Sequence, residues 1–184
     1  MDINKIKRNK MIKKLLIVAM FISSIAVAQE RPHDGKEAHV AVLHEVSNKE
    51  VVQSVYPDAG KVEKVNDYWF RILGSDNKTI GFAMSSLPFC KDVKGYNDLT
   101  PVMIITDKNW IIKKVALLSN KESLGYVRRL EKRGFFDQWV GKTVKDAKKV
   151  QVDGYTGATF TGKAVSKNVD FLLNNGAKKL PKRN

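Results

Sequence analysis

Tyr68-Trp69-Phe70-Arg71-Ile72-Leu73, then Gly74-Ser75-Asp76-Asn77-Lys78, then Thr79-Ile80-Gly81-Phe82-Ala83-Met84 follow one another without a break. The outer runs are aromatic and β-branched, which suits a pleated, half-buried surface, and the middle one is built of turn residues. Together they predict a β-hairpin. The pattern recurs at Val102-Met103-Ile104-Ile105-Thr106, the turn Asp107-Lys108-Asn109, and a run from Trp110 to Leu118. Two hairpins joined through short polar turns indicate an antiparallel sheet and not alternating β-α-β units.

Downstream of the hairpins the apolar period changes from strand-like to helical. Ser123 to Lys132 and Phe135 to Val140 read as two short helices broken at Gly134. A last helix is expected from Thr161 to Asn175, with Val165, Val169 and Leu172 on one stripe and Gly176 as its stop. Upstream, Ser47-Asn48-Lys49-Glu50 reads as a capping box opening a short helix through Val51, Val52 and Val55, stopped before Pro57. Strands first and helices later, with no glycine-rich nucleotide fingerprint after a strand, predict an α+β fold. The expected architecture is an antiparallel sheet of two hairpins packed against C-terminal helices in a single domain. Trp69, Trp110 and Trp139 are expected to anchor the core or a sheet face.

The chain opens with a basic leader, Lys5, Lys7, Arg8, Lys10, Lys13 and Lys14, and an apolar run from Leu15 that ends in Ala26-Val27-Ala28. About 14 apolar or small residues span ~21 Å as a helix, short of the ~30 Å hydrocarbon core. Residues 1–28 therefore read as a cleaved secretory signal rather than a retained membrane anchor. Residues 29–46 are expected to be a connector, 47–177 the domain and 178–184 a basic tail. The leader holds six of the 33 Lys and Arg and one of the 19 Asp and Glu, which leaves a net charge of +9 in place of +14. The basic residues fall in small pairs, Arg128-Arg129, Lys132-Arg133, Lys148-Lys149 and Lys178-Lys179 among them. No basic stripe with interleaved aromatics is present, so a nucleic-acid partner is not expected. The scattered surplus suits a solvated surface, or a docking face for an acidic redox partner or an anionic membrane.

Cys90 is the single cysteine, which rules out an internal disulfide and a cysteine-cluster metal site. Its Leu87-Pro88-Phe89 setting predicts a buried, inert thiol. His33, His39 and His44 lack the spacing of a metal site, and no metal is expected.

Asp153-Gly154-Tyr155-Thr156-Gly157-Ala158-Thr159-Phe160-Thr161 is the most informative stretch. It is a tight turn leading into the last helix, where free N–H groups and the positive dipole end suit a phosphate. Thr156, Thr159 and Thr161 add hydroxyls and Lys163 a charge. On physics alone the alternative is a plain N-cap by Thr159 or Thr161.

The same residues resemble the flavinylation motif D-x-x-[ST]-G-A-[TS] of the FMN-binding domain family. The resemblance extends to Tyr56-Pro57-Asp58-Ala59, Gly81-Phe82, Gly95-Tyr96, Asn109-Trp110-Ile111 and Lys121-Glu122-Ser123-Leu124-Gly125. Asp98 stands where the family usually has glycine and Leu124 where it has proline. The resemblance implies FMN joined by a phosphoester to Thr159, installed outside the cytoplasm by a flavin transferase, with Asp153, Thr156, Gly157, Ala158, Thr161 and Lys163 around it. It also implies that Glu122, Ser123, Leu124 and Gly125 frame the flavin ring. An exported, periplasmic or otherwise extracytoplasmic electron-transfer protein follows, free or docked on a membrane redox complex, with no catalytic acid, base or nucleophile. A non-redox module binding an anion at the same helix end is the alternative from a different class.

Overall fold

In the computed structural model, residues 41–153 and 155–182 are described. The leader and most of the connector lie outside them. The elements are α1 (Asn48–Gln53), β1 (Ala59–Lys64), β2 (Trp69–Gly74), β3 (Thr79–Ser85), β4 (Val102–Thr106), β5 (Ile112–Leu117), α2 (Leu124–Lys132), a 3-10 turn (Phe135–Trp139), α3 (Val144–Ala147) and α4 (Thr159–Gly176). Five strands form one antiparallel sheet in the order β1-β2-β3-β4-β5. The fold is α+β, and both expected hairpins are present.

Alternation along the central strands explains why β4 is buried throughout. Val102 and Ile104 join Trp69, Phe82 and Met84 under α2, the 3-10 turn and α4. Met103 and Ile105 face the other way and meet Ile72, Ala83 and α1, through Val51 and Val52. Covering both faces leaves no exposed position on β4. Trp69 and Trp139 are fully buried and Trp110 packs half-buried against the same cluster.

Several local expectations are corrected. The sequence reading missed β1, whose Gly60, Lys61 and Val62 are exposed; it is an edge strand without apolar alternation, and its charges discourage edge pairing. Ser47 does stand at the start of α1, but its side chain makes no capping bond, and the helix ends at Gln53 before reaching Val55. The second short helix, after Gly134, is a 3-10 turn. The end of the connector is paired: His44 N–H donates to Asn120 O at 2.7 Å, and Val46 N–H to Ser119 Oγ at 2.9 Å. The start of the tail is also held, because Leu180 packs on the core and Asn66 Nδ2 donates to Lys179 O at 3.0 Å.

Helix α4 begins two residues earlier than expected, which moves Thr159 into its first turn. Gly176 is its last residue and is not a left-handed stop, since Ala177 beyond it remains right-handed helical. Glycine is required there by close approach: a Cβ would collide with Met84 Sδ, and Trp69 Nε1 donates to Gly176 O at 3.0 Å. Val165, Val169 and Leu172 face the sheet, fully buried.

Candidate functional site

The approach to α4 is a loop held from two sides. Gln138 brackets Asp153, accepting from its N–H at 2.9 Å and donating to its carbonyl at 2.7 Å. Arg129 Nη1 donates to Gly157 O at 3.1 Å. Gly157 has φ +78, a left-handed conformation that disfavours a side chain, and a Cβ there would also strike the Arg129 guanidinium. This bend aims the chain into the helix.

Neither threonine acts as the cap. Ala158 occupies that position and supplies no side-chain bond. Thr161 is buried and its hydroxyl donates to Glu122. Thr159 is exposed, and its hydroxyl makes no hydrogen bond among the described residues. The backbone N–H groups of Thr159, Phe160 and Thr161 likewise have no acceptor among those residues. A hydroxyl and three N–H donors without partners among the described residues thus stand together at the positive end of an 18-residue helix.

Beside it lies a cleft of about 210 Å³ lined by Tyr96, Tyr126 and residues 157–161. Tyr96 meets Tyr126 edge-on, with ring centroids 5.1 Å apart, and Phe160 tilted at 6.5 Å. Tyr96 is 51% exposed and Phe160 68% exposed, so two aromatic rings face solvent next to Thr159. The sequence gives none of these three aromatics a site role, although Gly95-Tyr96 is part of the family resemblance. Phe160 had a legible signal, because helical spacing puts it on the polar side of α4 with Lys163 and Lys167.

Glu122 lies beneath the cleft, 1% exposed. Its carboxylate accepts the backbone N–H groups of Tyr96 and Asn97 at 2.9 Å each and of Asp98 at 3.1 Å, besides the Thr161 hydroxyl. A Cβ on Gly95 would stand 2.7 Å from that carboxylate, so this loop closes around it only with glycine there. The buried carboxyl group also sits just before α2 and against the first turn of α4, two helix N-termini.

Gly157, Ala158, Thr159 and Thr161 come together at the cleft, with Thr156 exposed in the turn before it. Ser123 meets Asn97 Nδ2 at 3.4 Å below. Leu124 and Gly125 are exposed and lie outside the cleft lining, and a Cβ on Gly125 would touch nothing. Lys163 lines a neighbouring groove with Tyr155, Ser166 and Asp170, where burial holds the Asp170 carboxyl above the usual range. Cys90 is fully buried, and burial pushes its thiol up, as expected of an inert sulfur.

The FMN-binding domain family model matches residues 95–174. No curated protein matches the chain. Among solved structures, the chain is similar to a crystal structure of NqrC from Shewanella oneidensis, with 14% identity, a TM-score of 0.40, and coverage of 73% of this chain and 78% of that one. The residues matched by the FMN-binding domain model, 95–174, supply every residue of the cleft and Thr159 itself.

Proposed function

We propose that this protein is an exported electron-transfer flavoprotein that carries FMN on Thr159 through a phosphoester bond. The observation that carries the reading is the exposed Thr159 hydroxyl beside three N–H groups, all without partners among the described residues, inside the segment that matches the FMN-binding domain. When bound, the isoalloxazine ring supplies the redox chemistry. The chain supplies position and charge. The N–H groups of residues 159–161 offset the phosphate charge, and Arg129, anchored on Gly157, adds a fixed cation nearby. Tyr96, Tyr126 and Phe160 offer aromatic faces and edges to a planar ring.

Attachment fits the acceptor loop. Thr156, Gly157 and Thr159 are exposed, so a flavin transferase can reach the hydroxyl. In that transfer the Thr159 Oγ would bond to the FMN phosphorus of FAD as the phosphoanhydride bond to AMP breaks, AMP leaving and the hydroxyl proton passing to solvent; the residue would be a substrate of that enzyme and not a catalyst. A cleft near 210 Å³ is below the ~300–1,000 Å³ of typical ligand pockets, so a tethered ring stays open to solvent on one side. That openness suits electron exchange with a docked partner protein or membrane redox complex. The leader at 1–28 supports export, and no helix among the described residues is long and apolar enough to cross a membrane.

Co-expression with a flavin transferase tests the reading. The wild type is expected to stay yellow after denaturation and gel filtration, and Thr159→Ala to be colourless. Flavin retained by Thr159→Ala after denaturation would place the attachment elsewhere. A colourless wild type beside an active transferase would favour the non-redox anion-binding module, which the same free N–H groups would serve.

A further inference from the structure

Glu122 is nearly inaccessible and does not itself line the cleft, yet it bonds to both of its walls. One wall is the loop 95–98, held by three backbone N–H groups. The other is the first turn of α4, held through the Thr161 hydroxyl. The two segments are far apart in sequence, and this carboxylate is hydrogen-bonded to both. All four bonds are accepted, and a carboxylate can do that where an amide cannot: the NH2 of a glutamine would confront N–H donors. Asn120 Oδ1 in turn accepts from Glu122 N–H at 2.9 Å and fixes the backbone that carries the group.

We propose that Glu122 is the positioning residue of the cleft, setting how Tyr96 and Phe160 face a ring tethered at Thr159. The proposal rests on the flavoprotein reading for its ring, but the clamp itself is a property of the chain. Tyr96 is the sensitive point. Its own N–H is one of the three donors, so its ring follows the carboxylate, whereas Phe160 follows α4 through Thr161.

The test uses the full chain co-expressed with a flavin transferase, as wild type, Glu122→Gln and Thr161→Val. Amide hydrogen exchange at residues 96–98 reads the clamp, with strands β2 and β3 as the internal reference. Native flavin fluorescence, relative to the same adduct denatured, reads the ring's contact with the aromatics, because a stacked aromatic quenches flavin emission by electron transfer. In Glu122→Gln, exchange at 96–98 is expected to quicken about tenfold while β2 and β3 keep their protection, and native fluorescence to rise severalfold. Thr161→Val, which keeps the carboxylate, is expected to raise fluorescence less and to leave 96–98 protected. Faster exchange with unchanged fluorescence would reduce Glu122 to a structural residue and overturn the proposal, as would unchanged exchange. Should Glu122→Gln fail to fold, unchanged fluorescence in Thr161→Val overturns the proposal. On a wild type without flavin the flavoprotein reading fails, and exchange at 96–98 alone then decides whether Glu122 holds the loop.

Discussion

At the scale of single residues, two threonines two positions apart have opposite environments. Thr159 is exposed with a free hydroxyl, while Thr161 is buried on a carboxylate. Replacing Thr159 by Ala is expected to change folding stability by less than about 0.5 kcal/mol, because nothing is unmade. Thr161→Val leaves a buried carboxylate one partner short and is expected to cost about 1–3 kcal/mol. Denaturant titration of the two variants without flavin checks the contrast. The motif around Thr159 was legible because its spacing is local. The role of Glu122 was not, since its partners are backbone N–H groups 24 to 26 residues away, which no residue type advertises. A sequence can suggest that a glutamate lies near a site; it does not say that the side chain lies under it.

At the scale of elements, the hairpins were legible because alternation and turn chemistry agreed. Asp76 and Asp107 both accept backbone N–H bonds inside their turns, as turn aspartates do. The start of α4 was misplaced for a physical reason. A threonine cap contributes about 1 kcal/mol, a charge-assisted bond to a buried carboxylate about 1.5–3, so Thr161 serves Glu122 and the helix extends back to Thr159. Gly176 carries the sequence signature of a helix stop, but its constraint is the closeness of Met84. Gly176→Ala is therefore expected to destabilise by about 1–3 kcal/mol through overpacking, and to cost less than that in a Met84→Ala background. Thermal unfolding of the single and double variants measures the coupling. A plain helix-stop glycine would show none.

At the scale of the molecule, the sheet is closed on both faces, and Tyr56 ties the α1 side to β4 by donating to Thr106 O at 3.1 Å. Burial, and next to it the Asp107 charge, push the Tyr56 hydroxyl up to about 12. An unfolded tyrosine ionises near pH 10. Below that pH the stabilisation from Tyr56 is complete; between about 10 and 12 the unfolded chain loses the proton first, and the stabilisation falls as pH rises. Tyr56→Phe is expected to be less stable than wild type at pH 8, with the gap narrowing above pH 10. A gap that widened with pH would contradict this.

The site belongs to this scale too, because loop 95–98, α2 and α4 must meet before Thr159 has a cleft beside it. Peptide mapping of the chain co-expressed with a flavin transferase tests its central claim most directly. Trypsin should release peptide 150–163, cut after Lys149 and Lys163, heavier by one FMN less one water, with fragmentation assigning the mass to Thr159. An unmodified peptide from a chain exposed to active transferase, or the added mass on Thr156 or Thr161, would contradict it.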